Sequence, residues 1–136
     1  IMMTVSTKIK NKTIAQVWDY FTNPKHIIYW NYASDDWHCP KAENNLEAGK
    51  SFTYTMAAKN GEMSFDFTGM YTEIEPLSKI SYVLTDNRKI FVTFKETEEG
   101  IEVVEKFDPE TENSEELQQT GWQMILKKKK KYIESN

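Results

Sequence analysis

Residues 113–134 read NSEELQQTGWQMILKKKKKYIE, and this stretch decides the fold. Its asparagine and serine can cap a helix, acidic residues follow in the first turn, and lysines gather near the end. This is the charge order that a helix dipole favours. On a helical wheel the apolar positions fall in one half: Leu117, Gly121, Trp122, Ile125, Leu126, Tyr132 and Ile133. The stretch therefore predicts an amphipathic helix roughly 33 Å long, enough to cross a small domain.

Gly121 breaks this pattern, because a glycine inside a helix costs about 1 kcal/mol relative to alanine. Its place in the apolar half indicates that another segment comes close to the helix backbone, or that a space remains beside it. The lysine run, residues 127–131, is interpreted as a solvated helix end, with Lys128 and Lys129 reaching solvent from the apolar half. A surface for acidic lipids or partners is the alternative.

The composition predicts one domain over residues 1–136, long enough for a buried core. The net charge of −4, with a single strongly basic run, argues against nucleic acid as a partner. No apolar run is long enough to span a bilayer and no signal-peptide pattern is present, so we expect no membrane insertion. Cys39 is the single cysteine, which excludes an intramolecular disulfide. It fits a reducing compartment, and we expect a cytoplasmic location.

The first part of the chain predicts a strand and two short helices. Residues 3–10 alternate with a period of two, as a strand does. Residues 13–21 have apolar side chains at helical spacing, and Asn23-Pro24 begins a second helix that ends near Trp30. Residues 31–46 lack periodicity and are rich in Asp, Asn and Pro, so they predict a long loop of the kind that is often functional.

Residues 50–107 change to a period of two and contain four turn signals: Asn60-Gly61, Pro76–Ser78, Asp86-Asn87 and Glu99-Gly100. They predict five consecutive antiparallel strands, which the first strand can extend. A sheet with one apolar face needs a cover, and the final helix is the only predicted element long enough to supply it. The expected fold class is α+β: a curved antiparallel sheet of about six strands wrapped around the C-terminal helix. The two short helices after the first strand close one end.

Several short pieces of the sequence, in this order, resemble a known fold family. They are VWDYF (17–21) followed by NP (23–24), Trp30, LEAGK (46–50), FTGMYTEI (67–74) and GW (121–122). Their order is similar to that of the helix-grip fold of the START-like superfamily, also called SRPBCC or Bet v 1-like. Within it, the chain resembles homologues of the activator of the heat-shock-protein-90 ATPase. The resemblance covers nearly the whole chain.

This resemblance implies a deep cavity between sheet and helix, which related families use for apolar molecules. It does not select an activity, because the same scaffold carries transport, sensing, cyclase and co-chaperone roles. The candidate ligand-binding residues are those expected on the inner faces or at the mouth of the cavity: Trp30, Trp37, Phe52, Tyr54, Met56, Phe65, Phe67, Tyr82, Phe94, Phe107, Gly121, Trp122 and Ile125. The alternative is that such side chains only pack the core. Gly69 favours a cavity because it fills no space on the inner face, and the alternative is that it only marks a bulge that bends the sheet.

No catalytic motif is present, and Glu105 and His38 are the two candidates for catalysis. Glu105 alternates with Val103 and Phe107, so strict alternation points it inward, where a carboxyl group could act as an acid or a base. A one-residue bulge would instead place it in water.

The segment DDWHC (35–39) contains the residue types of a metal or nucleophile site. Adjacent His and Cys side chains rarely bind the same ion, and no CxxC or HxxxH spacing exists, so we predict no metal and no cofactor. We expect Trp37 to close the cavity mouth beside Trp30, the two aspartates to bond loop amides, and Cys39 to be buried.

The expected function is the binding of a small apolar or amphipathic molecule, without chemistry done on it. One alternative is a co-chaperone-like module that binds a chaperone, as the family resemblance implies. The other is a cyclase- or hydrolase-like enzyme that uses Glu105 or His38. A homodimer that pairs exposed sheet edges is also open.

Overall fold

The computed structural model describes residues 1–136 as an α+β fold in which a curled antiparallel sheet of seven strands holds a long C-terminal helix. The elements are β1 (Met3–Ile9), α1 (Ile14–Thr22), α2 (Pro24–Ile27), β2 (Trp37–Asn44), β3 (Ser51–Ala58), β4 (Ser64–Glu75), β5 (Lys79–Leu84), β6 (Lys89–Thr97), β7 (Gly100–Phe107) and α3 (Glu115–Glu134). The strand order is β1-β7-β6-β5-β4-β3-β2, and all neighbours are antiparallel. The sheet is thus a meander from β2 to β7, extended at one edge by β1.

The helices begin close to where the sequence predicts, because side chains bind their first free amides. Thr13 and Gln16 form a capping box at α1, and Asn23 caps α2 before its first-turn proline. At α3, the Ser114 hydroxyl accepts a 3.1 Å hydrogen bond from the Leu117 amide. None of the three helices has the length and apolar character needed to cross a membrane.

The predicted loop over residues 31–46 is wrong in its second half, where Trp37–Asn44 form the edge strand β2. Two features conceal this strand. Its register with β3 shifts between His38 and Lys41, which breaks the period of two, and Pro40 lies within the shift. The sheet therefore has seven strands where the sequence analysis predicts about six.

The core lies between α3 and the inner face of the sheet. Leu126 and Ile133 of α3 and Ile90 and Phe107 of the sheet are all 0% exposed. The rings of Trp122 and Phe107 stack with their centroids 4.2 Å apart. Burial of each such side chain contributes about 1.5–3 kcal/mol, and together they hold α3 against the strands.

The polar half of α3 binds the free edge of β1. Three helix side chains donate to alternate carbonyls of this strand: Gln119 to Thr4 at 2.8 Å, Gln123 to Ser6 at 3.3 Å and Lys130 to Lys8 at 2.9 Å. An unpaired edge can pair with a second sheet, and these bonds occupy the edge of β1. A homodimer that pairs sheet edges would therefore have to use β2, where Pro40 cannot donate a hydrogen bond to a neighbouring strand.

Candidate ligand-binding cavity

A cavity of about 380 Å³ lies between α3 and the inner face of the sheet. Its apolar and aromatic lining residues are Trp30, Tyr54, Met56, Phe65, Phe67, Tyr82, Trp122 and Ile125. Its polar and charged lining residues are Asn31, Arg88, Glu105, Glu110, Asn113, Gln118 and Lys129. The volume falls in the range of about 300–1,000 Å³ that is usual for small-molecule sites. Because its mostly apolar surface also carries polar and charged side chains, the cavity suits an amphipathic molecule better than a purely apolar one.

All the apolar lining residues are among the candidates named from the sequence, but several other candidates lie elsewhere. Phe94 and Phe107 are 5% and 0% exposed and belong to the core. Phe52 lines a smaller neighbouring cavity of about 50 Å³. Trp37 lies outside both linings and packs on Phe65, with 5.8 Å between ring centroids.

Neither of the two glycines lines the cavity, although a space does remain beside Gly121. Gly121 lines neither cavity, and a Cβ atom built on it would meet no atom within 4 Å. Gly69 faces Phe52 across β3 and β4, and a Cβ there would lie 2.7 Å from the Phe52 ring and 2.9 Å from the Val83 carbonyl oxygen. The Phe52 ring thus fills the space above Gly69, and the register shift in β4 comes later, after Tyr71.

Glu105 lies inside the fold, and the alternative that a bulge places it in water is wrong. β7 keeps its register with both neighbours, and Glu105 pairs with Val5 on one side and Val92 on the other. Glu105 is 2% exposed. The Nζ atom of Lys129 donates a 2.8 Å hydrogen bond to its Oε2 atom.

Lys129 is buried, so the prediction that it reaches solvent is wrong. Its residue is 8% exposed. Its ammonium group lies 4.6 Å from the centroid of the Phe21 ring and 4.3 Å from that of Trp30. Ring faces attract a cation, and with the Glu105 carboxylate they replace the water that the ammonium loses.

Lys128, the residue before Lys129, is also paired within the fold. Lys128 forms a 3.3 Å ion pair with Asp35 and lies over the Tyr32 ring, with Nζ 4.7 Å from its centroid. Asp36 accepts a 2.6 Å hydrogen bond from the Ser34 hydroxyl. Asp35 therefore binds the helix, whereas Asp36 binds a serine of its own loop.

Gln118 is a cavity residue that the sequence analysis missed. Its Nε2 atom donates to the carbonyls of Glu110 at 3.1 Å and Asn113 at 2.9 Å, and its Oε1 atom accepts from the Glu110 amide at 2.8 Å. These bonds hold the loop that precedes α3, and this loop supplies Glu110 and Asn113 to the cavity lining. No sequence signal separates this glutamine from its neighbour Gln119, which binds β1.

Arg88 is the second lining residue that the sequence analysis missed. It lies at the β5–β6 turn, and its Nε atom donates a 2.8 Å hydrogen bond to Oδ2 of Asp86. The positive charge is therefore compensated within the turn.

The tyrosine hydroxyl groups of the cavity are protonated at neutral pH. Burial raises the pKa of Tyr54 and of Tyr82 well above the usual range, and the nearby charge of Glu105 adds to the rise at Tyr82. Burial also raises the pKa of Tyr71, whose hydroxyl accepts a 3.3 Å hydrogen bond from Asn44. Tyr54 and Tyr82 thus bring uncharged hydrogen-bond donors into the cavity.

His38 and Cys39 do not form a site with Glu105. Both belong to β2, and neither lines the cavity. Cys39 is 3% exposed, its thiol donates to the Lys41 carbonyl at 3.4 Å, and burial raises its pKa. No three His, Cys, Asp or Glu side chains are grouped so that they could hold a metal ion.

A larger depression of about 640 Å³ lies outside the inner face, between residues 10–14 and 96–101. It is open to solvent, and only two of its 11 lining residues are hydrophobic. Small-molecule sites are enclosed and mostly apolar, so the smaller cavity under α3 is the better candidate.

A curled antiparallel sheet around a C-terminal helix, with two short helices after the first strand, defines a helix-grip protein of the START-like class. The chain belongs to the family described as Activator of Hsp90 ATPase homolog 1-like protein, which matches residues 11–134. The resemblance seen in the sequence is therefore confirmed. No curated protein matches the chain.

Solved structures share this fold. The AHSA1-like protein from Aeromonas hydrophila is 38% identical, with a TM-score of 0.93 over 99% of this chain and 93% of that one. The protein Chr148 from Cytophaga hutchinsonii is 46% identical, with a TM-score of 0.81 over 100% and 92%. Protein NE0264 from Nitrosomonas europaea is 13% identical with a TM-score of 0.83 over 99% and 95%, which shows the fold alone.

Proposed function

We propose that this protein binds a small amphipathic molecule in the cavity under α3 and releases it unchanged. The observation that carries the proposal is a space of ligand size whose lining combines aromatic rings with protonated tyrosine hydroxyl groups and the Glu105–Lys129 ion pair. A cavity of about 150 Å³ accepts benzene, so a space of about 380 Å³ accepts roughly 15 non-hydrogen atoms.

The test uses N-phenyl-1-naphthylamine, an uncharged probe that becomes fluorescent in an apolar site. Ile125→Trp fills the cavity from α3. The control, Met124→Trp, adds the same side chain at the preceding position, which is 41% exposed. We expect wild type and Met124→Trp to bind the probe and Ile125→Trp to bind it at least about tenfold more weakly. Equal binding by a folded Ile125→Trp variant would contradict the proposal.

A co-chaperone role is the second candidate. The family description names an activator of the Hsp90 ATPase, and two apolar side chains face outward from α3: Leu117 is 60% and Met124 is 41% exposed. They are seven residues apart and share one helix face. This role predicts that wild type raises the ATPase rate of the chaperone and that the double substitution Leu117→Glu, Met124→Glu abolishes the increase. No increase with wild type would exclude it.

A catalytic role finds less support, since Glu105 is held in an ion pair and His38 lies outside the cavity. The test is alanine substitution at both positions in an assay that detects turnover by the wild type.

A further inference from the structure

One ion pair and two tyrosines of the cavity lie where the two cavities adjoin. Five residues line both the space of about 380 Å³ and the space of about 50 Å³: Trp30, Tyr54, Tyr82, Glu105 and Lys129. A molecule that fills the larger space therefore meets these groups at its inner end.

Glu105 offers this molecule a free acceptor. Its Oε2 atom accepts from Lys129, while its Oε1 atom has no hydrogen-bond partner in the chain. Every fully buried side-chain nitrogen or oxygen atom has a partner, so Oε1 borders the open space. A carboxylate oxygen in such a place is stabilised when a bound molecule donates a hydrogen bond to it.

The ammonium group of Lys129, unlike Oε1 of Glu105, is already occupied by contacts within the protein. One of its N–H groups is used by Glu105, and the rings of Phe21 and Trp30 cover the ammonium group. A carboxylate ligand at the inner end would gain little from this cation and would lie beside the negative charge of Glu105. The other cation of the lining, Arg88, is already paired with Asp86.

Tyr82 completes the pattern. Tyr82 lines both cavities and its hydroxyl group is protonated, so this group is available to donate to a ligand oxygen that in turn donates its own proton to Glu105. A hydroxyl group can take both roles at once, whereas an ether oxygen can only accept.

We propose, building on the ligand-binding function above, that the cavity selects uncharged amphipathic molecules whose polar end donates a hydrogen bond, such as alcohols and phenols. Carboxylic acids are disfavoured because Glu105 repels them. Molecules whose polar end only accepts are disfavoured because they leave Oε1 of Glu105 without a donor.

The experiment compares three probes by isothermal titration calorimetry: decanol, its isomer methyl nonyl ether, and decanoic acid. Decanol can donate a hydrogen bond to the charged Glu105 carboxylate, whereas the ether cannot. We therefore expect decanol to bind wild type about tenfold more tightly than the ether. Decanoic acid at neutral pH is expected to bind more weakly than decanol.

Two variants assign the preference to the proposed groups. Tyr82→Phe should reduce the preference for decanol, and Tyr29→Phe is its control, because Tyr29 is exposed and lines neither cavity. The double substitution Glu105→Leu, Lys129→Met removes both charges together and should bind decanol and the ether equally. Replacing the whole pair avoids leaving one buried charge alone.

The outcomes separate the two proposals. If wild type binds decanol and the ether equally, or binds decanoic acid most tightly, the inference is overturned and the ligand-binding function stands. The same holds if the preference persists in both Tyr82→Phe and the double variant. If wild type binds neither decanol, the ether nor N-phenyl-1-naphthylamine, the ligand-binding function fails and the inference fails with it.

Discussion

The Nζ atom of Lys129 in α3 lies 2.8 Å from the Oε2 atom of Glu105 in β7, and both residues are less than a tenth exposed. The bond ties the helix to a strand that has neighbours on both sides. Removing two charges from water costs several kcal/mol, and the attraction within the pair offsets that cost only while both partners are present. The stability of the protein therefore depends on the pair as a unit.

Single substitutions of this pair should be more damaging than the double one. We expect Lys129→Met or Glu105→Leu to lower the free energy of unfolding by about 3–5 kcal/mol, because each leaves a buried charge alone. The double variant should lie within about 2 kcal/mol of wild type, since apolar side chains of similar size replace both. Urea denaturation measures all three.

Lys127→Met is the matched control, because Lys127 is exposed two positions earlier in the same helix. We expect it to change the unfolding free energy by less than about 0.5 kcal/mol. Additive effects of the two single substitutions would show that the residues are not coupled.

Alanine at Gly69 and at Gly121 should have opposite effects on stability. Gly69→Ala should lower the free energy of unfolding by about 1–3 kcal/mol, because its Cβ would overlap the Phe52 ring and the Val83 carbonyl. Gly121→Ala should raise it by about 1 kcal/mol, because the new Cβ meets no atom and alanine favours the helix. Thermal denaturation of both variants measures the difference. A loss of stability in Gly121→Ala would restore the idea that this backbone needs the space beside it.

The cavity tyrosines should make the fold sensitive to alkali. Burial raises the pKa of Tyr54 and Tyr82 above the usual value of 10.0, so between that pH and their folded pKa values the unfolded chain has lost protons that the folded chain keeps. Their stabilising contribution is complete below pH 10 and is lost as the pH rises further. We expect the urea midpoint to fall above pH 10, and to fall less in the Tyr54→Phe, Tyr82→Phe double variant.

Ultraviolet titration of the tyrosines gives an independent measurement. Tyr54 and Tyr82, whose pKa values are raised by burial, should ionise only as the protein unfolds. Ionisation of all seven tyrosines in one step near pH 10, with the fold intact, would contradict this expectation.

The glutamines of α3 should protect the edge of β1. Gln119→Ala and Gln123→Ala each remove a bond to a strand carbonyl, and we expect each to cost about 0.5–1.5 kcal/mol. The double variant should also self-associate more than wild type in sedimentation equilibrium, because the freed edge can pair with another sheet. A variant that stays as stable and as monodisperse as wild type would show that these bonds are not needed.

Much of the fold follows from local sequence signals. The caps and charge order of residues 113–134 place α3 to within about two residues, and the turn pairs place the strands of the meander. β2 was missed because a register shift and Pro40 remove its alternation. Alternation with a period of two predicts which side chains of a strand point inward, but not whether they line the cavity or pack the core. Phe94 and Phe107 are therefore predicted as cavity residues, although they belong to the core.

The ion pair shows a different reason for failure. The helical wheel places Lys129 on the apolar half, and strand alternation places Glu105 on the inner face, but neither signal alone predicts a buried charge. The two anomalies have opposite charge, and only the tertiary fold brings residues 24 positions apart in the sequence to a shared bond. Two charged residues of opposite sign, each on the buried side of its own element, are a sequence signal that can be sought as a pair.

The position of β1 has a consequence for how the chain folds during synthesis. β1 pairs with β7 and is bound along its other edge by α3, so its partners are made late; Gln119 is 115 residues from Thr4. Closing a loop of that length is entropically costly before any contact rewards it. On the ribosome, β1 can pair with β7 once that strand has emerged, but its other edge stays unpaired until α3 is made. A translation arrest before α3 emerges should leave that edge open to proteases and chaperones.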